Sequence, residues 1–183
     1  MDNYLESIKK QFLYYKKLGE QAIAQLSDED IFWQYNEESN SIATIVNHLS
    51  GNMLSRFTDF LTSDGEKPWR NRDAEFEIHA GGREALMNNW DKGWGCLMSA
   101  INQLDNKDLS IIIYIRNDGH TVTEALNRQL AHYPYHIGQI VFIAKMRKNE
   151  EWKTLSIARN KSTDYNAQKF SNEKGKRHFT DDL

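Results

Sequence analysis

The chain has 183 residues, room for one domain with a sizeable core but cramped for two. Hydrophobic residues make up 39% and charged residues 27%, and the formal net charge is −3, so the composition lacks the basic footprint of a nucleic-acid binder. A single cysteine, Cys96, excludes an intramolecular disulfide and fits a reducing compartment, and no apolar run of roughly 18 residues is present to cross a membrane.

The first residues, MDNYLESIKK, are charged and amphipathic and lack the apolar stretch of a signal peptide, so the expectation is a cytoplasmic protein. Pro68 and Pro134 are the two prolines, which favours long helices. Leu5, Ile8, Phe12, Tyr15, Ala22, Ile23 and Leu26 recur at steps of three and four, predicting an amphipathic helix over about 2–26. Ser27 with Asp30 is close to a capping box and opens a short helical turn. After the polar run NEESNS, the residues Ile42, Ile45, Leu49, Met53 and Phe60 mark the buried stripe of a second long helix, ending near Leu61.

A loop rich in turn residues and charge follows, SDGEKPWRNRDAEFEIHAGG. The third helix is predicted over about 83–104, with Leu86, Trp90, Trp94, Leu97 and Ile101 on one stripe. Gly93 and Gly95 inside it each cost about 1 kcal/mol relative to alanine, which points either to close helix packing or to a local bend. The β-branched run Ile111 to Ile115 and the turn signal Asn117-Asp118-Gly119 predict a small hairpin or extended connector. Thr121 and Glu124 form a capping box that opens the last long helix, which runs to about Lys148. The expected division is a bundle domain over residues 1–166 and a polar tail over 167–183. Four long amphipathic helices with a short β excursion imply an all-α four-helix bundle, a fold that builds metal and cofactor sites from side chains facing each other across its interior.

Histidines supply the chemistry. On the last helix Leu126, Leu130, Tyr133, Ile137, Ile140, Val141 and Ala144 cluster in one arc, and His132 and His136 fall together on its flank, one turn apart. His48 sits on the corresponding flank of the second helix, with Asn52 one turn on. Three imidazoles at the edges of two core-facing stripes could converge in one cleft. Neutral imidazole suits zinc, nickel or iron(II), and three protein ligands leave positions open for water or substrate. The H-x-x-x-H spacing alone also fits two histidines around a kink, since Pro134 lies between them. A zinc-protease reading fails, because Tyr133, Pro134 and Tyr135 stand where H-E-x-x-H needs its glutamate. No carboxylate base is evident beside the histidines.

The stretches NHLSGNMLSRFTDFLTSDGEKPWRNRDAEF and QLAHYPYHIGQIVFIAKM resemble the DinB/YfiT-like superfamily of bacterial four-helix proteins, specifically a DinB subgroup without an established function. The resemblance covers about residues 1–166. It implies an up-down-down-up bundle, often a homodimer, with a divalent metal held by three histidines. Carried onto this sequence these are His48, His132 and His136, the three that the helix flanks select. Some members of the superfamily transfer low-molecular-weight thiols such as bacillithiol, and others have no known activity. The resemblance therefore suggests a metal-dependent thiol transferase acting on an electrophilic small molecule, against a non-catalytic dimeric bundle with a structural or vestigial site.

Further candidates surround that trio. Arg70 and Arg72 could hold a substrate carboxylate at the mouth of the cleft, or pair with Asp73, Glu75 or Glu77 on their own loop. Asn52 and Tyr135 could offer hydrogen bonds to a ligand, whereas Tyr133, Trp90 and Trp94 read as core and Cys96 as buried filler. His79, His120 and His178 read as surface residues.

Overall fold

The computed structural model describes residues 4–77 and 81–181. The long helices are α1 (Tyr4–Ile23), α3 (Ile42–Phe57), α4 (Gly82–Asn102) and α5 (Val122–Lys148), and two short ones are α2 (Asp28–Phe32) and α6 (Ser162–Phe170). Strands β1 (Ile112–Ile115) and β2 (Asp118–Thr121) form an antiparallel hairpin directly before α5. Among the described residues no helix is long and apolar enough to cross a membrane.

Capping chemistry sets several boundaries. Ser27 and Asp30 close a complete capping box on α2, and Thr121 and Glu124 close another on α5. The Ser41 side chain accepts from the Thr44 amide and starts α3. That helix stops at Phe57, short of the predicted Leu61, and Asp59 takes a left-handed conformation (φ 50°) just beyond its end. The hairpin turns at Arg116 and Asn117, both with positive φ, as a two-residue turn of right-twisted strands requires. Gly119 instead lies in β2 opposite Tyr114, so the sequence signal pointed one residue too far along.

Six contacts give the helix directions. At the start of α1 and α5 the Tyr4 hydroxyl donates to Asn127 Oδ1 at 2.8 Å, and past the end of α1 Asp30 pairs with Arg147 of α5 at 2.6 Å, so those two helices run parallel. Arg83 at the start of α4 pairs with Asp28 at 2.6 Å, while Trp94 meets the Phe12 ring at 6.5 Å, so α4 runs antiparallel to α1. Gly93 packs on Ser50 and the Cys96 thiol lies 3.6 Å from the Thr58 hydroxyl, so α3 and α4 run parallel. The order is up, down, down, up, and the connection from α3 to α4, described over residues 58–77, is the crossover that carries the chain back across the bundle.

The core is one cluster through all four long helices, centred on Phe12, Ile42, Leu49, Met53, Trp90, Trp94, Leu97, Leu126, Tyr133, Ile137 and Ile140, all essentially without solvent contact. Pro134 is carried inside α5, which stays α-helical across it. Beyond α6, His178 hydrogen-bonds Ser7 at 3.0 Å, Asp181 pairs with Lys10 at 2.7 Å and Phe179 packs edge-on to Tyr14, so this part of the chain lies along α1. His178 and His120 are thus half-buried rather than surface residues, and His79 lies outside the described residues.

The crossover is pinned at three points. The Asp64 carboxylate accepts from the backbone amides of Glu66 (2.7 Å), Arg116 (2.9 Å) and Asn117 (2.9 Å), tying the loop to the hairpin turn. The Gly65 amide donates to the Tyr114 carbonyl at 2.8 Å, and the Gly65 carbonyl accepts from Ser55 at 2.8 Å and from Arg56. From these anchors the chain reaches a 3-10 turn at Asp73–Phe76, set against α3.

Candidate functional site

Packing of α3 against α5 brings His48, His132 and His136 together. His132 Nε2 lies 3.3 Å from His48 Nε2 and 3.1 Å from His136 Nε2, and one ligand atom from each residue falls within 4.8 Å of the other two. His48 is buried and the other two are half-buried, so the trio opens toward solvent on the α5 side.

Behind two of the rings stand acceptors. His48 Nδ1 lies 3.0 Å from Glu75 Oε2, and His136 Nδ1 lies 2.9 Å from Gln139 Oε1. With hydrogens on those Nδ1 atoms, the inward Nε2 atoms of both rings present lone pairs. Lone pairs this close repel unless a hydrogen or a cation lies among them. A metal–nitrogen bond of about 2.1 Å separates two ligand nitrogens by roughly 3.0 Å at a right angle and 3.4 Å at the tetrahedral angle. The observed 3.1 and 3.3 Å fall between these limits, so His132 stands at ligand spacing from each of the other two rings, and the three-nitrogen donor set suits a divalent metal.

Burial favours the neutral form of His132 and His136. His132 is pushed down from 6.5 to about 3, first by burial and then by the charges of His136, His48, Arg56 and Arg70. Burial also lowers His136, against the opposing effect of its hydrogen bond to Gln139. Neutral imidazole is the form that binds metal. Burial alone would raise Glu75, but hydrogen bonds from His48 and Arg70 and the Arg70 charge outweigh it and hold the carboxyl below its usual range.

Glu75 is the carboxylate that sequence reasoning did not place beside the histidines. The crossover carries several acids, and only its path selects this one. Arg70 Nε and Nη2 reach the two Glu75 oxygens at 2.7 and 3.0 Å, and the Arg70 side chain is only 2% exposed. Glu66 gathers Arg56, Arg70 and Arg116 at 3.1, 3.6 and 3.0 Å. Arg70 therefore faces inward, committed to carboxylates of its own loop. Arg72 is exposed and lies 5.1 Å over the Phe76 ring, which in turn packs 5.1 Å from the His48 ring. Asn52 is buried and accepts a 3.0 Å hydrogen bond from the Tyr133 hydroxyl, while Tyr135 is 63% exposed with its ring edge-on to His136. Gln139 could have been found from sequence, since it follows His136 by one helical turn.

Gln139 also lines a groove of about 470 Å³ between α5 and the segment linking α2 to α3. Trp33, Tyr35, Phe142, Ile143 and Met146 give it a largely apolar wall. The groove thus meets the histidine site on the Nδ1 side of His136.

No curated protein and no solved structure matches the chain. A family model described as "Protein of unknown function (DUF1572)" matches residues 1–161, and the chain belongs to that family.

Proposed function

We propose that the protein binds one divalent metal ion through His48, His132 and His136 and transfers a low-molecular-weight thiol to an electrophilic small molecule. The observation that supports this reading is the convergence of three imidazole nitrogens from two helices, with acceptors behind two of the rings. Such a donor set suits zinc, nickel or iron(II) and leaves positions for a further ligand. A divalent ion held by His48, His132 and His136 would supply Lewis acidity, which would favour loss of a thiol proton near neutral pH. The resemblance to the DinB/YfiT-like superfamily, some members of which transfer such thiols, is in keeping with it.

The chain's own residues bind and orient. Arg72, exposed beside Phe76 and His48, is placed to meet an acidic group of the thiol, and Tyr135 stands at the open side of His136. Asn52 and Arg70 are engaged within the protein and support the site from inside. The groove beside Gln139 has the size and apolar character of a small-molecule pocket and would take the body of the electrophile. In the transfer the thiol sulfur bonds to the electrophilic carbon, the leaving group departs with its bonding pair, and the thiol proton passes to solvent. The test is thiol consumption with reactive halides or epoxides. Metal-loaded protein is expected to consume thiol and the His136→Ala variant to consume none; no consumption by the loaded protein across a thiol panel overturns the transferase reading.

A second reading, a non-catalytic homodimer with a structural metal, draws on Tyr35, Phe142 and Met146, exposed along one edge of the groove. A solution mass near twice 21.4 kDa that falls to the monomer value on Phe142→Glu supports dimerisation through this face. A monomeric wild-type protein rejects it.

A further inference from the structure

We infer that Glu75 is the positioning residue of the histidine centre: it holds His48 with its hydrogen on Nδ1 and so turns the Nε2 lone pair toward His132 and His136. This rests on the three-histidine reading above and names the residue that prepares the site.

Three features of the fold meet at this carboxylate. The first is its state. An ionised carboxylate can only accept, so at 3.0 Å from Glu75 Oε2 the His48 Nδ1 must carry a hydrogen, and in the neutral ring, the form that binds metal, Nε2 is then the bare nitrogen. The second is its clamp. The Arg70 guanidinium grips both oxygens, at 2.7 and 3.0 Å, from a position almost without solvent contact, and fixes the rotation of the carboxylate as well as its place. The third is its seat. Gly51 lies one turn from His48 on the same face of α3, and a methyl group there would overlap the carboxylate, standing 2.8 Å from Glu75 Cδ.

Each feature has a cost that folding alone does not require. Glycine inside a helix is unfavourable. A buried ion pair loses the hydration of both partners, and apolar residues of similar volume usually stabilise a core at least as well. The features share one geometric result, an acceptor at the back of His48. A histidine that binds metal commonly donates its other ring hydrogen to such a carboxylate, which orients the ring and raises its basicity. His136 receives a neutral amide from its own helix, whereas His48 receives a charged group delivered by the crossover. Segment 58–77 thereby becomes part of the site although it supplies none of the three ligands.

The test is a cobalt(II) titration of the full-length protein, read by visible absorption, on wild type, Glu75→Gln, Gly51→Ala and His48→Ala. Glutamine can face His48 with its oxygen only by turning its amide nitrogen toward the Arg70 donors, so the clamp fails. Gly51→Ala displaces the carboxylate while keeping every charge, and it reads the same geometry if Glu75→Gln does not fold. We expect both variants to bind cobalt 10- to 100-fold more weakly, an order of magnitude typical of lost outer partners, with an altered cobalt spectrum. A helix content by circular dichroism equal to wild type accompanies that result. Cobalt affinity within twofold of wild type, with an unchanged spectrum, in a folded variant overturns the role of Glu75 and leaves the three-histidine reading standing. Wild type that binds no cobalt, or His48→Ala that binds it as wild type does, overturns that reading and this inference with it.

Discussion

The Tyr133 hydroxyl donates to Asn52 Oδ1 at 3.0 Å, and this buried bond joins α5 to α3 one residue along from His132 and one turn from His48. It fixes the axial register of the two helices that carry the histidines. Burial raises the Tyr133 pKa well above its ordinary value, so the hydroxyl stays a donor under all physiological conditions.

Tyr133→Phe is therefore expected to leave Asn52 Oδ1 without its donor and to lower stability by about 1–3 kcal/mol. Urea denaturation measures this. An unchanged midpoint would show that the bond contributes nothing to holding the two helices in register.

Gly93 and Gly95 are expected to behave oppositely. A methyl group on Gly93 would meet the Ser50 Cα of α3 at 2.9 Å, whereas nothing lies within 4 Å of the same position on Gly95. Gly93→Ala should overpack the α3–α4 contact and cost about 1–3 kcal/mol. Gly95→Ala should stabilise α4 by about 0.5–1 kcal/mol through helix propensity. Thermal melts of the two variants decide the matter, and equal shifts would contradict the close approach of α3 and α4.

His132 is expected to remain neutral where an ordinary histidine titrates. Its folded value of about 3 lies below the ordinary 6.5, so below that ordinary value the unfolded chain binds the proton that the folded chain refuses. Stability of the metal-free protein should fall as pH drops from about 7 toward 3, and less steeply in His132→Ala. Imidazole resonances followed by NMR should show no His132 titration between about pH 5 and 8. A midpoint near 6.5 would contradict the burial of the site.

Asp64 supplies a second acid-sensitive contact, at the root of the crossover. Its carboxyl is held below the ordinary 3.8 chiefly by the Asn117 amide, with the Glu66 and Arg116 amides adding to it. A depressed carboxylate contributes stability that is present above its unfolded value and lost as pH falls through the lower folded value. Asp64→Asn should therefore lower stability near neutral pH and narrow the gap to wild type by about pH 3. A constant gap across that range would show that the carboxylate charge is immaterial to the anchor.

The four long helices and their buried faces were legible because the stripe residues, from Leu5 and Ile8 to Ile137 and Ile140, repeat at helical spacing and lie in the core or, like Tyr15, Leu130 and Val141, pack against it. The histidine trio was legible for the same reason, since a flank position on a core stripe is a geometric property of one helix. Boundaries were less so: Asp59 leaves the helical conformation past the end of α3 although Phe60 continues the stripe, and Gly119 drew the turn away from Arg116 and Asn117. The place of Glu75 beside His48 was not legible, although its pairing with Arg70 was among the options the loop offered. Its place follows from Asp64 and Gly65 gripping the hairpin and from Gly51 leaving room, contacts between segments far apart in the chain.

The central claim is that His48, His132 and His136 together hold one metal ion. Elemental analysis of purified, tag-free protein, with the alanine variant of each histidine alongside, tests it most directly. The account predicts about one zinc, nickel or iron per chain, lost in all three variants. A protein that takes up no metal even after loading with divalent ions, or variants that keep it, would contradict the account and leave the trio as histidines packed around Pro134.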